Sequence, residues 1–328
     1  MTSFRLATEE DDALLRAMLR ENGMPTWVEM TMEREPSFFA GKNLFGRDWA
    51  VIASEGDDVI GMYTASVMPV HLNGAPTHLG YLGGLRVNPR HRRRIRYLRE
   101  GYASIPRFAP QSVPWWFTVV AKENEAARRL LERGVPGLPP YHPQGDYVTF
   151  ALPVSRGKRR GLWRRANGDD VVSLYNKAAA HYQYSPVLDH QLARQLEFYV
   201  CGESVAALWD QRAFKQIVAR RYRHPMLIPL YNAFAHAARR IPLPREGRAL
   251  DQTFIAFLSI PPDVALLEDL LSHCKTPVAS LGVHANHPLI PILERFKPFR
   301  YPARIYAVTF NGAPPVSTRS AQPEAALL

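Results

Sequence analysis

Residues 81–102, YLGGLRVNPRHRRRIRYLREGY, concentrate the side chains best suited to chemistry. Seven arginines (Arg86, Arg90, Arg92, Arg93, Arg94, Arg96 and Arg99) follow an extended apolar run that Pro89 interrupts. A strand that passes through a loop into a helix exposes backbone N–H groups at the helix N-terminus. Those donors and the positive end of the helix dipole suit a pyrophosphate. Guanidinium groups bind phosphate bidentately. The same cluster also reads as a solvated basic helix face.

Further candidates lie on either side. Glu29, Glu33 and Glu35, and His78 and Tyr81 on the apolar run, are acid–base candidates. His78 has an unperturbed pKa of about 6.5. Asn124 precedes a helical pattern and reads as an N-cap, a ligand contact, or both. His273, Cys274, His284 and His287 match no zinc spacing, so no metal is expected. Cys201 and Cys274 carry no nucleophile signature.

The elements that must position these residues alternate along the chain. Strands are expected at 4–7, 49–54, 59–71, 76–87, 113–120 and 147–154, and helices from Thr8, at 90–103 and at 124–133. Residues 31–45 read as a second helix. Asn73-Gly74 is a hairpin signal. The basic stretch 155–170, SRGKRRGLWRRANGDD, reads as a linker between two domains. Beyond it, helices are expected at 171–182, 188–198, 226–240, 262–273 and 288–296. Strands are expected at 253–260, 278–283 and 304–310, with a hairpin of strands at 204–210 and 214–221. The tail 311–328 reads as disordered.

Composition sets the limits. The 328 residues are 46% hydrophobic, enough for a sizeable core, and two cysteines exclude a disulfide scaffold. The net charge of +11 is uneven: +1 over residues 1–150 and +10 over 151–328. A basic half suits nucleic acid, anionic lipid or a phosphorylated cofactor, or is simply a soluble surface. No run is long and apolar enough for a transmembrane segment, and residues 1–15 lack a secretory pattern, so a cytoplasmic location is expected. Residues 226–240, an apolar stripe followed by arginines, suit a membrane surface or a lipid-like acyl chain. Packing on the core is the reading preferred for that helix.

Leu85-Arg86-Val87, Pro89 and Arg92-Arg93-Arg94 resemble the central motif of the GNAT superfamily of acyl-CoA-dependent N-acyltransferases. The order of elements through 4–154 and Asn124-x-x-Ala127-x-x-Leu130 are similar too. The resemblance implies acetyl-CoA or another acyl-CoA held in the split between the strands 76–87 and 113–120. Backbone groups at Leu85 and Val87 are implied to hold the pantetheine and polarise the thioester. Arg92, Arg93, Arg94, Ile95 and Arg96 are implied at the phosphates, Arg86 is implied to contact the cofactor, and Asn124 acts through its side chain. His78 or Glu33 stands as general base and Tyr141 as general acid, because the family's usual tyrosine position holds Leu131. The pyrophosphate loop lacks the family's glycines. Altered CoA binding, an acyl-carrier protein as donor or a degenerate site are the consequences left open.

The second half carries a similar strand–Asn–helix unit at 278–289 but no phosphate loop after 253–260, where Pro261-Pro262-Asp263 follow. The expectation is an α/β protein of two GNAT-like domains, each a mixed, mainly antiparallel sheet flanked by helices. The boundaries are 1–154, 155–170, 171–310 and the tail 311–328, with a degenerate, non-catalytic second domain. The implied activity is transfer of an acyl group, expected to be acetyl, to a small-molecule or peptide amine. The alternative is a non-catalytic module whose basic surface binds a phosphorylated partner, nucleic acid or anionic lipid. Stable nucleic-acid binding is not expected, because aromatics do not alternate with the basic runs.

Overall fold

Long extended runs joined by tight turns build the first half. In the computed structural model, which describes residues 2–23, 27–92, 94–109, 113–314 and 316–328, β1 (Ser3–Leu6) leads into α1 (Asp12–Glu21) and β2 (Val28–Glu33). An antiparallel meander follows: β3 (Arg47–Glu55), β4 (Asp58–Leu72) and β5 (Ala75–Val87). Asn73 and Gly74, with φ of 52° and 90°, make the β4–β5 turn, as a two-residue hairpin requires. Then come α2 (Ile95–Phe108), β6 (Trp116–Ala121), α3 (Glu125–Glu132) and β7 (Tyr141–Pro153).

The second half repeats much of the plan. It contains β8 (Arg164–Ala166), α4 (Gly168–Ala179), α5 (His190–Ala193), β9 (Glu197–Cys201), β10 (Ser204–Trp209) and β11 (Gln216–Tyr222). It closes with α6 (Ile228–Ala237), β12 (Arg248–Ala249), β13 (Gln252–Ser259), α7 (Val264–Leu271), β14 (Val278–His284), α8 (Ile290–Arg295) and β15 (Phe299–Val308).

Among the described residues, twelve strands form one mixed sheet in the order β1-β3-β4-β5-β6-β15-β7-β14-β13-β10-β9-β8. The order is palindromic. Each half lays down five strands on its own side, and the closing strands cross over. β15 pairs with β6, β7 pairs with β14, and β7 and β15 pair with each other. Only β5–β6 and β13–β14 are parallel pairs within this sheet. At the seam Phe117, Tyr147, Phe150 and Tyr306 are fully buried. Burial of one such side chain contributes about 1.5–3 kcal/mol, so the halves share one core.

Several expectations are corrected. Residues 31–45 are not a helix: Val28–Glu33 is β2, which pairs with β11 from the other half. Val-Glu-Met-Thr-Met-Glu alternates, but its partner lies about 190 residues away in the chain, beyond any local window. Residues 188–198 hold only the short α5 before β9. The expected 204–221 hairpin is absent, because β10 pairs with β9 and β13 while β11 joins β2 and β12 in a three-stranded sheet. The segment 155–170 is no loose linker. Asp269, fully buried, accepts main-chain N–H bonds from Arg160, Gly161, Leu162 and Trp163. The last residues of the tail, 320–328, are packed too: Ala321, Ala325 and Ala326 are buried, and Gln183 N–H donates to the Ser320 carbonyl at 2.9 Å. The small side chains of this Pro/Ala/Ser-rich stretch fit against a neighbouring surface. No described helix is long and apolar enough to cross a membrane.

Candidate functional site

β5 and β6 pair at only two positions, Gly80 with Trp116 and Tyr81 with Phe117. Beyond them β6 follows β15, while β5 follows β4 to Val87. The strands part, and the β6-facing edge of Leu82–Val87 has no strand partner among the described residues. Two glycines shape the fork. A Cβ on Gly80 would sit 2.1 Å from the Trp116 ring, so only glycine lets the indole lie across the strand. Gly84, at φ +59°, sits where the β4–β5 register shifts, and a Cβ there would meet Thr64 Oγ1 at 2.5 Å. A bulge of this kind re-aims the following residues, and Leu85 ends 47% exposed.

The strand runs into a 3-10 turn (Pro89–His91) and then α2. Asn88 caps the turn through Arg90 N–H at 3.1 Å, and His91 Nε2 lies 2.8 Å from Asp58 Oδ2. The N-cap position of α2 is Arg94, with no side-chain cap and no acid in the first turn. Tyr97 N–H turns back to the Arg94 carbonyl at 3.1 Å, and among the described residues no side chain caps the N–H groups before it, which suits an anion. Arg92 donates to the Val87 carbonyl at 3.3 Å and to Asn22 Oδ1 at 2.7 Å, and Arg94 to Tyr97 Oη at 3.2 Å. Arg96 turns instead to Glu55 at 2.9 Å and Tyr97 Oη at 2.8 Å. Ile95 begins the helix. Arg93 lies outside the described residues. Asn124 is the N-cap of α3, accepting from Ala127 N–H at 3.3 Å.

Across the sheet, the register aligns Asp48 (β3), Ser66 (β4), Tyr81 (β5) and Phe117 (β6) in one row. Residues directly opposite share a face. Burial pushes the Asp48 carboxyl above its usual range, against the Asn43 N–H bond and the charges of Arg34 and Lys42. Burial also pushes Tyr81 up to about 12, while Arg86 and Arg34 draw it down. The two guanidiniums are themselves lowered by burial. Arg86 donates to the Leu85 carbonyl at 3.0 Å, and its Nε is buried with no partner among the described residues.

Of the expected catalytic side chains, none joins this row. Glu33 is buried and held by Arg220 through both oxygens, with Thr31 on one of them, so it has no free carboxylate edge. His78 pairs with Pro69 on the near side of the fork and is solvent-exposed, away from the parted segment 82–87. Tyr141 bonds to Tyr102 Oη and packs edge-on against Tyr306. Burial raises its hydroxyl well above the ordinary value. Asp48 was missed. Its only sequence signal is the alternation of β3, and its company was set by the register of three strands.

The second half contains the matching fork. β13 and β14 pair at Gln252–Val278, Thr253–Ala279 and Phe254–Ser280 and then part. Here the tail fills the gap. Gln322 donates to the Gly282 carbonyl at 2.9 Å and accepts from His284 N–H at 2.7 Å. Tyr147 Oη donates to the Pro323 carbonyl at 2.7 Å, and Glu324 accepts from Phe257 N–H at 2.8 Å. Burial pushes Glu324 up to about 7 and Lys215 down to about 7, each opposed by the other's charge. The N-terminus of α7 is already taken: Asp263 accepts from Ala265 N–H at 2.7 Å and Leu266 N–H at 3.4 Å. A carboxylate therefore occupies the donors that a phosphate needs. A cavity of about 120 Å³ remains, lined by Tyr182, Ser259, His287 and Glu324 among others. His287 is pushed down to about 4 by burial. Among the described residues no three His, Cys, Asp or Glu side chains gather as a metal site.

Residues 28–100 match the acetyltransferase (GNAT) domain family. A GCN5-related N-acetyltransferase from Anabaena variabilis is similar in structure, with TM-score 0.50 and 10% identity over 94% of this chain and 72% of that one. A conserved protein of unknown function from Enterococcus faecalis, a probable N-acyltransferase, gives 0.47 and 9% over 94% and 72%. A GCN5-related N-acetyltransferase from Kribbella flavida gives 0.42 and 14% over 79% and 59%, so the chain spans about three-fifths of that protein's length. No curated protein matches the chain.

Proposed function

Because residues 28–100 match the acetyltransferase (GNAT) domain family, we propose that residues 1–154 transfer an acyl group from an acyl-CoA, acetyl-CoA as first choice, to an amine by direct attack. The observation that carries this reading is the fork: β5 and β6 part after two paired positions, directly before an uncapped helix N-terminus flanked by arginines. The free edge near Leu85 and Val87 suits an extended amide-bearing arm, and its N–H groups suit a thioester carbonyl as charge develops on it. The N–H groups that open α2, with Arg92 and Arg94, suit the phosphates. Acyl-CoA supplies the activated acyl group, and CoA leaves as the thiolate and takes its proton from solvent.

Asp48 replaces His78 and Glu33 as the proposed general base. A carboxylate raised by burial is a better proton acceptor than a solvated one, and the Asp48 row lies on the face of β5 that carries Tyr81 and Arg86. The amine nitrogen forms the new C–N bond, the C–S bond breaks, and Asp48 takes the ammonium proton. Arg34 and Arg86 give the acceptor side a positive field. The second half, proposed at residues 171–310, closes the opposite face and binds no CoA, because its own tail and Asp263 occupy the equivalent places.

The test is free-thiol release from acetyl-CoA in the presence of a panel of primary amines, small molecules and peptides with free N-termini. Amine-dependent release that Asp48→Asn abolishes supports the reading. Thiol release by no amine, together with salt-sensitive binding of a phosphorylated ligand, assigns the chain to the non-catalytic binding module instead.

A further inference from the structure

Helix α6 is built inside out. Tyr231 and Asn232 bond to the protein, while its two largest apolar side chains, Leu230 and Phe234, point to solvent. Asn232 bonds twice to the Leu243 main chain, at 2.8 and 2.9 Å, and Tyr231 Oη donates to the Ile241 carbonyl at 3.2 Å. Ile228 packs on Ala219 and Tyr222, and Ala235 is buried. These contacts hold the helix in one rotation. Leu230 and Phe234, four residues apart, then face outward at 72% and 56% exposure. Leu227 and Met226, in the 3-10 turn just before, are 58% and 91% exposed. The sequence-based preference for core packing of this stripe is thus corrected: the register of the polar anchors turns it away from the core. Trp27, 53% exposed, lies beside Tyr222 with ring centroids 6.1 Å apart, at the foot of the same helix.

The chain on both sides of the apolar face is strongly basic, with Glu29 of β2 opposite Arg221 and Arg240 over the Phe234 ring at 5.8 Å. Residues 221–250 contain six arginines (Arg221, Arg223, Arg239, Arg240, Arg245 and Arg248) and one acid, Glu246. Glu246 is engaged by Tyr222 N–H at 2.8 Å. A second copy of this chain fits poorly, since docking two such faces would bring both arginine rims together. An anionic bilayer matches both features. Its headgroups meet the rim, and Met226, Leu227, Leu230 and Phe234 reach the acyl boundary, with Trp27 at headgroup depth.

We propose that α6 and its arginine rim dock this protein on the surface of a membrane rich in anionic lipid. The helix lies in the interface without crossing it: α6 spans ten residues, far short of a membrane crossing.

Co-sedimentation with phosphatidylcholine vesicles, with and without equimolar phosphatidylglycerol, tests this. Binding is expected to the phosphatidylglycerol vesicles only, and to weaken as salt rises. Arg221→Gln with Arg223→Gln is expected to weaken it about thirtyfold, from about 1 kcal/mol for each arginine at the surface. Leu230→Ser with Phe234→Ser is expected to weaken it at least tenfold with little change in melting temperature, because both side chains are more than half exposed. The proposal is overturned by equal binding to neutral vesicles, by no binding to either, or by binding that the Leu230/Phe234 variant retains. It is also overturned if sedimentation velocity shows a dimer that the Leu230/Phe234 variant dissociates, which would assign the face to a second copy.

Discussion

One molecule of acetyl-CoA is expected to bind per chain, although the sheet has two forks. The first fork leaves the edge of Leu82–Val87 free and opens on an uncapped helix. The second is filled by Gln322–Glu324 and opens on a helix capped by Asp263. The perturbation is Arg92→Ala with Arg94→Ala. Both side chains are exposed, so each charge-assisted contact to phosphate is discounted for solvent to about 1 kcal/mol, or about fivefold. Together the two changes are expected to raise Kd about thirtyfold. Neither arginine holds the fold: among the described residues the side chain of Arg92 bonds to Val87 and Asn22, and that of Arg94 to Tyr97. Isothermal titration at two salt concentrations reads both stoichiometry and Kd, and the wild-type Kd is expected to rise with salt more steeply than that of the variant. Asp263→Ala, which frees the α7 donors, is expected to leave the stoichiometry at one because the tail still fills the second fork. A stoichiometry of two, or a Kd that the double variant changes by less than threefold, would refute the assignment of the phosphate site.

Asp48→Asn is expected to lower kcat by about a hundredfold or more, the usual share of a general base, and to remove the acidic limb of the pH–rate profile. The surrounding turn survives because Asp48 N–H still donates to Asn43 Oδ1, at 2.7 Å, and the amide oxygen of the variant can still accept the Asn43 N–H that Asp48 Oδ2 takes at 2.9 Å. An unchanged profile would return the base to another residue. Asp269→Ala leaves four main-chain N–H groups without their acceptor and is expected to cost about 3–5 kcal/mol in urea unfolding. A loss below about 1 kcal/mol would contradict the stitched view of residues 160–163. The Arg5 guanidinium and Thr8 N–H hold the Asp11 carboxyl down at about 2. Its contribution is therefore present above about pH 3.8, the unfolded value, and is lost as pH falls towards 2. Asp11→Asn is expected to cost about 1–2 kcal/mol at pH 7, with half-exposed Arg5 reducing the full linkage figure. Urea unfolding at pH 7 and near pH 2 checks that the difference between wild type and variant shrinks in acid.

Local physics was legible wherever one segment carried its own cause. The β4–β5 hairpin followed from Asn73-Gly74, whose residues adopt the positive φ that such a turn needs. The strand–turn–helix from Leu85 to Phe108 followed from the break at Pro89 and the helical pattern after it. The lack of a phosphate loop after 253–260 was visible as Pro261-Pro262-Asp263, and in the structure Asp263 caps α7. Asn124 takes its N-cap role.

What the residues alone determined were the strand and helix types with local periodicity, the placement of the arginines before a helix, and the uneven charge. What only the tertiary structure decided depends on partners far apart in the chain. Glu33 looked free until Arg220 from the other half closed on it, and Asp48 acquired Ser66 and Tyr81 only through the register of β3, β4 and β5. The tail looked disordered because its small side chains have no periodicity. Its order comes from Gly282, His284 and Phe257, main-chain groups that the parting of β13 and β14 leaves without a strand partner. Buried backbone donors and acceptors must find partners, and that demand is set by the whole sheet, not by the segment that meets it.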